Sequence, residues 1–357
     1  MSTRVFDVSG VLKGGHWTSS SKTLIHFAHK LLGSERTLTI VCAEHDMKYR
    51  VLGKTGWKVS VLGFGAAPLG RTHGDFNEKD GIRAAHTAID LGINFIDVAP
   101  YYGLTMAEAV LGKALKEIPR EKFYLATKVG RYGADEADFD YSAARVIRSV
   151  DESLQRLRVA HIDLIQCQDV QFASVSQLVE ETVPALLRLK RQGKVRHIGI
   201  TGLPLKIFCK VLDRVAVDAV HSYCHFCLTN TTLVQLLPYL KEKRAGVVNA
   251  APLGMGLLTE KGPPKWHPAP AKVRDICARA VAHCQRRKVS LPRLALQFAT
   301  SHRDIASTLV GTSSAKKIKE CVKCLDEPLD QSLLAEVQDI LTPIRNETWP
   351  SGRKENN

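Results

Sequence analysis

Three side chains with complementary proton chemistry lie within about thirty residues of one another. The run Asn94-Phe95-Ile96-Asp97-Val98-Ala99-Pro100-Tyr101-Tyr102-Gly103 ends an apolar stretch on a carboxylate, with the Tyr102 phenol five residues further on. Phe123-Tyr124-Leu125-Ala126-Thr127-Lys128 ends a second apolar stretch on an amine. As buried parallel strands, the two stretches set Asp97 and Lys128 at the same ends of neighbours, where they should pair. Carboxylate, phenol and amine then make a proton-transfer set. A cation beside Tyr102 predicts a stabilised phenolate, with a pKa drawn from about 10 toward neutrality. Such a phenol could give a proton to a carbonyl oxygen, or take one from a hydroxyl, while hydride moves at carbon.

Convergence of this kind needs strands held in parallel. From Met47 onward, short apolar runs alternate with amphipathic segments. The strands predicted are 59–64, 93–97, 123–128, 162–167, 195–201, 219–223, 246–251 and 305–311. Helices are predicted over 80–91, 106–118, 142–157, 175–192, 205–215, 231–243 and 273–288, with 315–325 after the last strand. Gly92 and Gly193 stand where helices should end, and Ser142 and Thr231 fit N-caps. Eight strands, each followed by a helix, predict an α/β fold of the (β/α)8 TIM-barrel class. An open doubly wound sheet would want a GxGxxG turn leading straight into a helix, and Pro68 with the polar residues 71–75 delays that helix. Residues 49–52 and 57–59 flank Gly53-Lys54-Thr55-Gly56 and predict a short hairpin ahead of the barrel.

A chain of 357 residues suits one barrel of about 250 residues with additions. No apolar run nears the roughly 18 residues of a membrane span, so no membrane insertion is expected. The net charge of +14 is spread along the chain, without a recognition helix, zinc-finger spacing or Arg-rich arm. It therefore reads as a basic enzyme surface and not as a nucleic-acid site. Nine cysteines predict reduced thiols in a reducing compartment. Cys224/Cys227 and Cys321/Cys324 have CxxC spacing but no paired-knuckle context, so no metal site is expected. Residues 1–46, rich in Ser and Thr, read as a poorly ordered extension with some transit-peptide character. The domain reading is thus an extension over 1–46, a barrel over 47–352 and a tail over 353–357.

Asp97-x-Ala99-x-x-Tyr102-Gly103 together with a strand-terminal Lys128 is a hallmark of the aldo-keto reductases, and the chain resembles that family over about residues 47 to 352. Leu62-Gly63-Phe64-Gly65, Ile198-Gly199-Ile200-Thr201-Gly202, Met255-Gly256-Leu257-Leu258, Trp266-His267-Pro268-Ala269 and Thr348-Trp349-Pro350-Ser351-Gly352 extend the likeness toward its sugar-oxidising plant members. The resemblance implies NAD-dependent oxidation of L-galactose at C1 to the 1,4-lactone, a cytoplasmic step toward ascorbate. A small sugar is then the partner, as a monomer or weak dimer. Asp97, Tyr102 and Lys128 carry over as catalytic residues. The family's fourth is a histidine closing the fourth barrel strand, where Asp163-Leu164-Ile165-Gln166-Cys167-Gln168 has Gln168. Gln166 stands where a second histidine is expected. A glutamine amide donates a hydrogen bond but does not titrate near neutrality. Retained cofactor binding with slower or altered catalysis is the expectation. Two other readings stay open: a nicotinamide-binding sensor or subunit, and a broad aldehyde reductase using NADPH.

The same family pattern assigns Thr201, Gly202 and Ser222 to the nicotinamide carboxamide. The loop Pro252-Leu253-Gly254-Met255-Gly256-Leu257 has small residues that let backbone amides approach a pyrophosphate. Gly311-Thr312-Ser313-Ser314 leads into a helix whose N-terminus suits a phosphate. Lys317, Glu320 and Cys321 fall at the adenine end, where Cys321 replaces an expected asparagine. Lys316 and Lys317 leave NADP open beside NAD. His225, Trp266, His267 and Trp349 are substrate-site candidates, since an aromatic on a mouth loop can stack on a sugar face. Arg131 and Tyr132 could line the same mouth.

Overall fold

The computed structural model describes residues 47–71 and 77–357. The extension 1–46, with its expected disorder, lies outside the described residues. Strands β1 (Tyr49–Val51) and β2 (Lys58–Ser60) pair antiparallel as a hairpin. The barrel strands are β3 (Leu62–Gly65), β4 (Phe95–Asp97), β5 (Tyr124–Val129), β6 (Ile162–Cys167), β7 (Val195–Gly202), β8 (Ala219–Tyr223), β9 (Gly246–Ala250) and β10 (Ser307–Gly311). All pair in parallel in chain order, and β10 closes onto β3. This is the (β/α)8 barrel that the alternation of segments predicts.

Helices α1 (Glu78–Asp90), α2 (Met106–Leu115) and α3 (Ala143–Leu157) return the chain after β3, β4 and β5. After β6 comes a helical stretch containing a π segment (Leu178–Thr182) and α4 (Val183–Arg191). The rest are α5 (Leu205–Leu212), α6 (Leu233–Glu242), α7 (Ala271–Arg286), α8 (Leu291–Thr300), α9 (Ala315–Cys324) and α10 (Gln331–Leu341). Ser142 caps α3 by accepting the Arg145 amide, and Asn77 caps α1. Gly92 and Gly193 hold φ of 86° and 76° where helices end.

Three local expectations need correction. Residues 59–64 are not one strand but the end of β2 and the start of β3. There the Ser60 hydroxyl donates to the Leu62 carbonyl and the Ser60 amide donates to Asn94 Oδ1, so side chains turn the run. Thr231 does not cap α6, which begins at Leu233; the neighbouring Thr232 hydroxyl donates to Asn230 Oδ1 instead. Helices α8 and α10 were not anticipated. Pro292 lies in the first turn of α8, behind the Ser290 cap, where no amide is needed.

The barrel interior is layered. Its lower layer is apolar, from Phe95, Ala126, Leu164, Ala219, Val248 and Leu309, and the hairpin residues Leu52 and Val59 join it. The hairpin therefore plugs the amino-terminal end. Its turn fits closely: a side chain on Gly53 would begin 2.2 Å from the Gly246 nitrogen, where only glycine can pass. Trp57 stacks on Tyr124 at 4.7 Å and meets His197 edge-on at 4.5 Å. Arg50 donates to the carbonyls of Thr300, His302 and Ile305, fastening the hairpin to the connection before β10.

Candidate active site

Above the apolar layer the interior turns polar. Asp97, Lys128, Gln166 and His221 each lie two residues beyond a lower-layer side chain on their strands, so alternation carries them to the same face one step higher. Lys128 Nζ is 2.5 Å from Asp97 Oδ1 and donates to the Val98 carbonyl at 2.9 Å. Gln166 donates to Asp97 Oδ2 at 2.8 Å. Both ends of the carboxylate are thereby held. Burial disfavours the Lys128 ammonium, but Asp97 and Tyr102 more than offset this and its pKa rises. Lys128 is a fixed cation.

Tyr102 closes over this pair, with Lys128 Nζ 4.8 Å from its ring centroid. The Tyr-Gly pairing has a steric reason. A side chain on Gly103 would begin 2.1 Å from the Gly70 carbonyl oxygen, because the loops after β3 and β4 cross there. Gly103, Leu104 and Thr105 all take left-handed φ, at 61°, 50° and 76°. Such conformations in non-glycine residues persist only where surroundings impose them. The expected drop in the Tyr102 pKa does not occur. Burial raises it, and the opposing Lys128 charge recovers only part of the shift.

Gln168 follows β6 directly. Its amide donates to the Val129 carbonyl, its carbonyl accepts from the Tyr141 hydroxyl, and its side-chain Oε1 is buried without a partner. The next residue, Asp169, anchors a rim network that the sequence did not reveal. It pairs with Arg131 at 2.7 Å and accepts from the Tyr223 hydroxyl at 3.1 Å. The Arg131 guanidinium lies 3.8 Å over Tyr101. Gln171 donates to Tyr223 and, at 3.0 Å, to Ser351 of the carboxyl-terminal segment. Tyr132 packs under Arg145 and takes the Gly130 amide, a structural duty.

The residues assigned to a dinucleotide divide into several groups. Ser222 is buried with its hydroxyl unpartnered. The Thr201 hydroxyl is already taken, accepting the Asp169 amide at 3.1 Å, and Gln171 Oε1 stands over Gly202. Gly254 and Gly256 have φ of 56° and 105° in a tight turn, flanked by Pro252 and Leu253. Leu257 instead packs into the core beneath α7, α8 and α10. Ser313 and Ser314, just after Gly311 and Thr312, line a cavity of about 590 Å³ with Asn77, Asp80, Arg83 and Lys316. Lys317 and Glu320 are exposed on α9. Cys321 packs against the core behind that helix.

Among the substrate candidates, His267 is tied at both nitrogens, to the Gly254 carbonyl and the Ala269 amide. It packs between Trp266, which is 62% exposed, and Trp349. His225 hydrogen-bonds Thr232 through Nδ1, while its buried Nε2 is unpartnered. Cys224 and Cys227 are free buried thiols whose pKa burial raises. The features that spacing could not expose are Asp169, Tyr223 and His221. A lone polar residue in an apolar strand gives no hint of what faces it across a barrel.

A carboxylate–ammonium pair buried beneath a phenol at the carboxyl-terminal mouth of a closed barrel is built to move a proton next to a carbon centre. The aldo/keto reductase family model matches residues 61–342. L-galactose dehydrogenase of Arabidopsis thaliana is 49% identical over 319 residues, spanning 87% of this chain and 99% of that protein. D-arabinose 1-dehydrogenase of Saccharomyces cerevisiae is 33% identical over 82% of this chain and 94% of its own length. The holo form of aldo-keto reductase AKR11C1 from Bacillus halodurans superposes with a TM-score of 0.70 at 26% identity, covering 87% of this chain and all of that one. With a family match across most of its length on a closed eight-stranded barrel, the chain belongs to the aldo/keto reductases.

Proposed function

We propose that this protein oxidises L-galactose at C1, with L-galactono-1,4-lactone as the product. The observation that carries the reading is the Asp97–Lys128 pair under Tyr102, in a chain that aligns along nearly all of the Arabidopsis enzyme. The family's nicotinamide cofactor supplies the hydride acceptor when bound. The residues at the mouth fit such a group. The Ser222 hydroxyl and the Gln168 amide oxygen are buried and unspent, and Gly254 and Gly256 leave the backbone on either side of Met255 bare for a pyrophosphate. Ser313 and Ser314 open the cavity at the start of α9 for the adenosine end.

In this reading Tyr102 takes the proton of the C1 hydroxyl, so that one O–H bond breaks as another forms on the phenolate. Lys128 offsets the phenolate charge, and Asp97 with Gln166 fixes the ammonium in place. The Gln168 amide donates to the same substrate oxygen and orients it. Arg83 and Lys316, the cations of the adenosine cavity, each have an acid nearby, Asp80 and Glu320. That pairing supports NAD over NADP. No described helix is long and apolar enough to cross a membrane. We place the reaction in the plant cytoplasm, toward ascorbate; organelle import of a fluorescent fusion would overturn that location.

The test is reduction of NAD, and separately of NADP, by the purified protein with L-galactose. Turnover favouring NAD is expected, with Tyr102→Phe lowering it by at least ~10²-fold. Cofactor binding without sugar turnover would turn the reading into a sensor. Faster reduction of an aldehyde panel with NADPH would turn it into a carbonyl reductase.

A further inference from the structure

The polar layer of the barrel holds one titratable group to which the proposed reaction gives no role: His221 on β8. It is 5% exposed. Its Nδ1 has no hydrogen-bond partner and lies 3.8 Å from Asp97 Oδ2. On the flanking strands its register partners are Thr201 and Val248, neither of which titrates in the accessible range. The charged groups that reach it are Asp97 from β4, Lys128 from β5 and Asp169 just beyond β6. A buried imidazole nitrogen without a partner is costly, and the Asp97 carboxylate is an acceptor within a small movement of the ring.

We propose that His221 is a positioning residue for the Asp97–Lys128–Tyr102 chain, its Nδ1–H closing onto Asp97 Oδ2 when substrate fills the mouth. The inference rests on the reaction proposed above. Catalytic hydrogen bonds are often long in the unliganded protein and tighten in the complex. Burial draws the His221 pKa down to about 4 despite the Asp97 charge, so the ring is neutral at neutral pH and has one N–H to give. Donation there draws negative charge away from Lys128, and the ammonium is freer to favour the Tyr102 phenolate. His221 thus does not replace the missing strand-end imidazole as an acid. It works one layer deeper, as a neutral donor.

Two variants and one spectrum test this. His221→Asn keeps an N–H near the position of Nδ1, and His221→Leu fills the space without one. In the leucine variant kcat should fall roughly 5–20-fold while the sugar KM changes less than about twofold, the signature of lost transition-state positioning. The ascending limb of kcat against pH should move alkaline by roughly half a unit or more. The asparagine variant should stay within about threefold of the parent protein. Nitrogen-15 histidine spectra of the unliganded protein, with His221→Asn identifying the resonance, should show the Nδ1–H tautomer. A leucine variant with parental kcat and an unmoved limb overturns the proposal, as does an asparagine variant equally impaired or an Nε2–H tautomer. If the leucine variant does not fold, the asparagine variant and the tautomer decide. If the parent protein turns over no sugar, the reaction fails while the tautomer still judges His221.

Discussion

Two opposing influences meet on the Tyr102 hydroxyl. Taking the phenol out of water disfavours the phenolate, the Lys128 ammonium favours it, and burial prevails. The sign has a kinetic consequence. In the proposed oxidation the phenolate is the proton acceptor, so kcat should climb as pH rises toward the elevated pKa. Carbonyl reduction needs the phenol and should be level near neutrality. Rate–pH profiles in both directions check this, and an oxidation optimum on the acid side would contradict it. At Gln168 the amide can orient a substrate oxygen but cannot share a proton, and its Oε1 is already without a partner. Gln168→His should raise oxidation turnover by about 10²-fold, the lower edge of the usual range for a positioned acid–base group, because the glutamine already supplies an orienting hydrogen bond. An unchanged rate would mean that orientation alone suffices at this position.

At the scale of elements, the segment that closes the chain is bound to the loop that follows β6. Asn356 is buried and donates to the carbonyls of Gln171 and Ala173 at 2.9 and 3.0 Å. The Arg353 amide also donates to Gln171. These bonds steady the turn that carries Asp169 and lies next to Gln168. Deleting residues 353–357 removes these three bonds to the loop, of about 1 kcal/mol each, together with those that Ser351, Lys206 and Lys210 donate to Asn357 and Glu355. The sugar KM should rise several-fold with a smaller change in kcat, and thermal unfolding should come earlier. Equal KM values for the two chain lengths would show that the loop holds its shape unaided. Composition alone marked these residues as a bare tail, because the contacts that bury Asn356 come from residues more than 180 positions away.

For the molecule as a whole, alternation of apolar runs and amphipathic segments was enough to read a closed barrel, since eight repeats of one unit have few ways to bury both sheet faces. The convergence of Asp97, Lys128 and Tyr102 followed from strand-end logic. What stayed illegible depends on distance across the interior. The Gln166 bond to Asp97, the approach of His221 and the Arg131–Asp169–Tyr223 network join residues whose separation along the chain says nothing about their meeting. The Tyr102 pKa departs from its expected direction for a related reason: a neighbouring charge can be read from sequence, but depth of burial cannot.

The hairpin seal at the amino-terminal end bears on how the protein can be handled at a surface. With Leu52 and Trp57 closing that end, traffic of sugar must run through the opposite opening, where the last residues are already engaged. Met47 packs beside Gly92, ahead of β4 and on the sealed side. A tether attached to a chain starting at Met47 would hold the molecule by its blind end and leave the entrance facing solution. The same tether at Asn357 would pull directly on the entrance.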